Sequence, residues 1–301
     1  MNRRGSLLAL ATIVAAVTLA FAFQRSTPVD SRNSPFNEQR AGLDLQTLVG
    51  FGPRPAGSDS IAQARAYIVA ELKKAGLEPQ LDEFDARTPR GFRHMVNIHA
   101  VRRGTKSGVI AITGHYDTKF FDNIRFVGAS DGGSSAAWLL EFARCTRDLK
   151  LDNTLEFIFF DGEEAVVEWT DDDSVYGSRH DVDRRVRERK LGDLKAMILV
   201  DMIGDKNLNI RREAQSTQWL KDIIWGTAQS MGHAREFPND EMEISDEHIP
   251  YLKERVPAVD LIDFDYPPWH TAADTLDKVS AHSLKIVGDV VYFSLPAIDR
   301  H

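Results

Sequence analysis

Cysteine is almost missing from this 301-residue chain, which has only Cys145. No intrachain disulfide can form, and no thiolate pair exists to build a structural zinc site. Cys145 falls on the apolar repeat of a predicted helix, so it is expected as buried packing and not as a nucleophile. No HExxH helix, GxSxG elbow, Walker loop or GxGxxG turn occurs, which removes several common hydrolase and nucleotide-binding designs. There is no long basic run, and 45 acidic against 37 basic residues leave a net charge of −8. That balance argues against nucleic acid as a partner. No internal repeat or low-complexity tract is present. What remains, with 43% hydrophobic and 27% charged residues, is a globular chain able to hold one large core or two small ones.

The first residues carry an address. Arg3 and Arg4 precede an apolar run over 7–23, a positive n-region and an h-region with Ala20, Phe21 and Ala22 as a cleavage site. The 17-residue run is at the short limit of a membrane span, so residues 1–23 fit a signal peptide or an uncleaved signal anchor. Either way the remainder is expected to be exported, periplasmic or secreted, touching a membrane only through that segment. Residues 24–35 are polar and aperiodic and read as a linker.

From residue 36 onward helical and strand periods alternate. Helical spacing runs over 36–49, followed by the Gly/Pro turn GFGPRPAGS at 50–58. Ser60 can cap a second helix that stops at Gly76. Strands are predicted near 78–84, 95–101 and 109–113, then a helix over 131–149 and a strand at 154–160. A charged helix near 178–190 leads to a strand at 196–204. A helix at 216–231, a short one at 249–254, a strand at 256–264 and a closing helix at 280–298 complete the chain. The pattern specifies one α/β domain over 36–301, with a mixed, mostly parallel central sheet and helices on both faces.

The chemistry concentrates in FIFFDGEEAVVEW at 157–169. Four consecutive apolar residues make a strand with no wet face, central in a sheet covered on both sides. Asp161, Glu163 and Glu164 follow at its carboxyl end, where open α/β sheets bind ligands. Three carboxylates there are costly unless something positive meets them. A metal held by one carboxylate, with its neighbour free as a base, answers that requirement. His115, Asp117, Asp201 and His270 also sit at strand ends, and Asp131 starts a helix. A parallel sheet would gather them at one edge. Imidazole nitrogen with carboxylate oxygen suits zinc or a similar borderline cation. The run Asp171 to Asp173 reads as a solvated capping turn.

GHYDT, VGASD, FFDGEEA, VDMIG and WHT, in this order, resemble the zinc aminopeptidase-type α/β fold, an exopeptidase-like architecture. EEAVVEW, DSVYGSRH, SDEHIPYL and VPAVDLI before PPWHT are similar, more narrowly, to the glutaminyl cyclases (glutaminyl-peptide cyclotransferases). The similarity spans most of residues 36–298. It implies a transferase, an acyltransferase that forms pyroglutamate from peptides or proteins with N-terminal glutamine, with one zinc per chain; separately from the resemblance, a monomer is expected. By the same resemblance Asp131, Glu164 and His270 are the zinc ligands and Glu163 is the general acid/base. Asp201 and Asp246 complete its hydrogen-bond network, and Trp169 and Trp269 wall the substrate pocket. Ser245 stands where many animal relatives carry glutamine, and Asp265 or Tyr266 falls where they carry phenylalanine. Two other readings compete: a zinc aminopeptidase binding a second metal through His115 and Asp201, and a non-catalytic exported binding domain.

Overall fold

The computed structural model describes residues 35–301; the expected export segment at 1–23 lies outside them, as does all but the last residue of the linker. Helices α1 (Glu38–Gly50) and α2 (Asp59–Lys74) precede the hairpin β1 (Gln80–Thr88) and β2 (Gly91–Arg102). Then come β3 (Val109–His115), α3 (Gly133–Cys145), β4 (Thr154–Phe160), α4 (Tyr176–Glu188) and β5 (Leu194–Asp201). The short β6 (Arg212–Glu213), α5 (Gln218–Met231), the short β7 (Glu241–Met242) and α6 (His248–Lys253) follow. Strand β8 (Ala258–Ile262) and α7 (Ala281–Arg300) end the fold. Among the described residues no helix is long and apolar enough to cross a membrane.

Six strands form one sheet in the order β1-β2-β4-β3-β5-β8. The β1–β2 and β2–β4 pairs are antiparallel, while β4, β3, β5 and β8 run parallel. The greasy run of β4 lies between β2 and β3, and all seven of its residues are buried. Side chains alternate across a strand. Phe157 and Phe159 therefore pack in a core with α1, α2, α3, α5 and α7, and Ile158 and Phe160 in a smaller one with Val182 of α4 and Tyr251 of α6. Each buried phenylalanine contributes about 1.5–3 kcal/mol, which helps offset the desolvation of the acids that follow.

Three local expectations are corrected. The N-cap of α2 is Ser58, not Ser60: Ser58 accepts from Ile61 N after its own N–H closes a turn on Pro55 O. Asp131 does not start its helix, because α3 begins at Gly133 after Gly132, which offers no side chain as a cap. Residue Asp173 is buried, not solvated. Its carboxylate accepts from the N–H groups of Val166, Val167 and Glu168 and from the Tyr176 hydroxyl. Cys145 is buried, as its helical position predicts.

Candidate active site

Because β3, β4, β5 and β8 are parallel, their carboxyl ends meet at one edge. His115 closes β3, Asp201 closes β5, and the DGEE turn follows β4. A cavity of about 390 Å³ opens there, floored by Asp131, Glu163, Glu164, Asp201, Asp246 and His270. Its apolar walls include Trp169, Ile262, Phe264 and Trp269.

Ligand atoms of Asp131, Glu164 and His270 all lie within 4.8 Å of one another. His270 Nε2 is 3.4 Å from Asp131 Oδ2 and 3.3 Å from Glu164 Oε1. Asp131 Oδ2 is buried with no hydrogen-bond partner, and an unpaired buried carboxylate oxygen is costly unless a cation meets it. These three residues fit a metal ion. His115, Asp131 and Asp201 make a second close group.

The surroundings impose this geometry. Asp117 accepts from Glu163 N at 3.1 Å and Glu164 N at 3.3 Å, and so fixes the turn that presents both glutamates. Gly162 and Gly132 adopt positive φ; a Cβ on Gly132 would stand 2.2 Å from Asp117 O, so only glycine fits there. Asp274 accepts from Ser130 N and Asp131 N. Beneath the acids lies the fully buried Arg54, bonded to the carbonyls of Leu48, Gly52, Tyr116, Val127 and Gly128. Burial lowers its pKa to about 10 against the pull of Asp117, Asp274 and Asp131.

His115 occupies the centre. Its Nε2 is 3.0 Å from Asp201 Oδ1 and 3.3 Å from Asp131 Oδ1, and its Nδ1 is 3.3 Å from Asp117 and 3.7 Å from Glu163. Burial raises the Glu163 pKa well above the usual carboxylate range; His115 opposes this, while Glu164, Asp246 and Asp201 reinforce it. Asp246 rises to about 8 through burial and the charge of Asp201. Glu164 rises to about 7 through burial and Asp131, with His270 opposing. His270 reaches about 9: burial would lower it, but Asp131 and Glu164 prevail. Carboxyls whose pKa is raised towards neutrality by burial are suited to proton transfer near neutral pH.

Of the residues singled out from the sequence, Asp131, Glu163, Glu164, Asp201, Asp246 and His270 line this one cavity with Trp169 and Trp269, each 39% exposed, whereas His115 and Asp117 are buried and do not line it. Among the described hydrogen bonds, however, none joins Glu163, Asp201 and Asp246 directly; the Asp201 carboxylate bonds His115 and Met202 N instead. Asp161 turns away and accepts from Val96 N and the Tyr116 hydroxyl. The loop before Trp269 adds an aromatic ring to the wall. Asp265 points outward to Asn209 and the Tyr266 hydroxyl is bound to Asp274, so Phe264 supplies the ring, 4.7 Å from Trp269. Lys119, missed in the sequence, donates its N–H to Glu164 Oε1. Its signal was its place two residues past Asp117 in the strand-end run.

Comparison with known proteins bears on what this cavity serves. Residues 97–294 match peptidase family M28. The glutaminyl-peptide cyclotransferase of Gloydius blomhoffii is 30% identical over 273 residues, covering 77% of this chain and 74% of that protein. The crystal structure of an Acidobacteriales bacterium glutaminyl cyclase superposes with a TM-score of 0.84 at 38% identity, covering 91% of this chain and 99% of the other. A Zn-dependent exopeptidase from Parabacteroides distasonis is also similar, at TM-score 0.79 and 25% identity, covering 88% and 99%. The parallel-strand edge, its buried acids and these likenesses together establish that the chain belongs to peptidase family M28 and, within it, to the glutaminyl-peptide cyclotransferases.

Proposed function

We propose that the protein converts the N-terminal glutamine of peptides to pyroglutamate and releases ammonia, with one zinc ion held by Asp131, Glu164 and His270. The observation that carries this reading is the orphaned, buried Asp131 Oδ2 beside Glu164 and His270, in a cleft whose next carboxyl, Glu163, is held protonation-prone. Zinc bound there supplies a Lewis acid for the γ-carbonyl oxygen.

The chain's own residues perform the rest. The cleft folds the glutamine side chain back so that its α-amine nitrogen faces its γ-carbonyl carbon, an orientation worth roughly 7–11 kcal/mol of barrier. Glu163 takes a proton from the attacking amine as the new C–N bond forms. It returns that proton to the amide nitrogen as the old C–N bond breaks and ammonia leaves. Asp246 lines the same floor and hydrogen-bonds the departing nitrogen, while Asp201 holds His115 and its negative charge helps keep Glu163 prone to protonation. Trp169, Trp269 and Phe264 exclude water, which would otherwise turn the reaction towards hydrolysis.

The His115, Asp131 and Asp201 group supports a second reading, a dinuclear aminopeptidase. Incubation with glutaminyl and leucyl arylamides separates the two. Ammonia without free arylamine supports cyclisation, arylamine supports hydrolysis, and silence with both points to a binding domain.

We also take residues 36–301 as the catalytic unit and 1–23 as the export segment. Cell fractionation of full-length protein and of protein lacking 1–23 tests that division.

A further inference from the structure

A third group of metal-capable side chains lies under α4, away from the catalytic edge. His99 of β2 and Glu156 of β4 share the sheet face that α4 covers. Glu156 is five residues before Asp161, roughly 17 Å along the strand at about 3.3 Å per residue. Asp82 reaches in from the edge strand β1 and Asp181 from α4. A cavity of about 200 Å³ opens beside them, lined by Asp82, His99, Glu156 and Arg184.

His99 Nδ1 is 3.0 Å from Glu156 Oε1. A carboxylate only accepts, so this contact places a proton on Nδ1 and leaves the Nε2 lone pair free in the neutral ring. A carboxylate partner on the far ring nitrogen is the usual way a metal-binding imidazole is oriented. Nε2 has no hydrogen-bond partner although His99 is only 6% exposed. It faces Asp82 Oδ2 at 3.8 Å and Asp181 Oδ1 at 3.9 Å, too far for hydrogen bonds. A lone pair aimed at two carboxylate oxygens is repulsive unless a second proton or a cation sits between them. The three atoms lie within 4.8 Å of one another. Ligands on zinc at bonds of about 2.0–2.2 Å stand roughly 3.4 Å apart, so His99 Nε2 needs to close by about half an ångström on each carboxylate oxygen.

The cation now nearest is Arg184. Its Nε lies 2.9 Å from Asp82 Oδ2 and its Nη2 2.5 Å from Asp181 Oδ1. The Nε contact is not aligned as a hydrogen bond, and both atoms stay unpartnered. His180 Nε2 also approaches Asp82 Oδ1, at 3.2 Å. Arg185 grips Asp181 Oδ2 and Glu156 Oε2 and is buried, whereas the Arg184 side chain is 24% exposed and can swing into water. With Arg184 out and a divalent ion in, the carboxylates of Asp82, Glu156 and Asp181 are neutralised by Arg185 and the ion.

We propose that Asp82, His99 and Asp181 form a site for a divalent transition metal such as zinc or nickel, with Arg184 as the internal cation that the metal displaces. One imidazole and two carboxylates favour these ions over calcium or magnesium. Occupancy would pin the edge strand β1 to α4. The idea is independent of the catalytic reading.

The test is equilibrium dialysis of the full chain against zinc, with metal content and unfolding temperature read together. Expected is a second, weaker equivalent beyond the active-site ion. That equivalent is lost in His99→Gln and tightened about tenfold or more in Arg184→Ala, since each tenfold corresponds to about 1.4 kcal/mol. Zinc in excess of one equivalent raises the unfolding temperature of Arg184→Ala more than that of His99→Gln. If His99→Gln does not fold, Asp82→Asn, altering one partly exposed carboxylate, must show the same loss. The proposal is overturned if the weaker equivalent survives the folded variant, if His115→Gln removes it, or if Arg184→Ala binds no second ion.

Discussion

Asp117 receives the backbone N–H groups of both Glu163 and Glu164 on its two carboxylate oxygens, at 3.1 and 3.3 Å. One side chain thus sets the relative placement of the expected proton carrier and the expected metal ligand. Asp117→Asn would turn an NH₂ towards one of those N–H groups and break a bond. Outer partners of metal ligands typically control 10- to 100-fold in affinity or activity. We expect kcat/KM to fall by roughly that factor, with zinc bound more weakly, as read by steady-state kinetics and metal analysis of one preparation.

Glu163→Gln keeps the size of the side chain and removes its ability to shuttle a proton. Turnover should drop by about 10²-fold or more, the scale of general acid–base catalysis, while zinc content stays at wild-type level. Loss of zinc in this variant would mean that Glu163 and Glu164 have exchanged roles.

Phe264 rests against Trp269 and is 38% exposed at the cavity. Aromatic pairs contribute about 0.5–1.5 kcal/mol beyond their area, so Phe264→Ala should raise KM for glutaminyl peptides by roughly three- to tenfold. Asp265→Ala should leave KM unchanged. Parallel kinetics on the two variants decide which of these neighbours meets substrate.

Acid stability should depend on Glu213. Burial alone would raise its pKa, but His248 and the groups of Gln215 and Ser216 outweigh burial and bring it to about 2, from an ordinary 4.5. A folded pKa below the unfolded one adds stability that is complete above about 4.5 and disappears as pH falls through about 2. Glu213→Gln should therefore be less stable than wild type at pH 5, and the gap should narrow at pH 3. Urea unfolding midpoints at both pH values measure that difference.

Strands with strong local signals were legible. β4 lies at the predicted 154–160 because four consecutive apolar residues leave no alternative to full burial. Site residues after strands could be grouped because parallel strands share one carboxyl edge. Other features depend on partners distant in sequence. Arg54 sits in what reads as a Gly/Pro turn, and nothing local reveals that five carbonyls will surround its guanidinium. Choosing Phe264 over Asp265 or Tyr266 is a one-residue question in an aperiodic loop, settled by Asn209 and Asp274. The β6–β7 pair, two residues each, is too short for any period.

His270 holds a left-handed backbone, φ 53°, which a non-glycine residue occupies at a cost of about 1–3 kcal/mol. Its ring is gripped by Trp269 at 4.1 Å and by the edges of Phe121 and Phe126. An ion on that imidazole would help keep the loop cocked, and chelation would let the backbone relax and carry Trp269 away with it. Stripping the ion should then blunt the grip on compounds that touch only the aromatic rim, so the cleft's oily wall and its charged floor would come and go together.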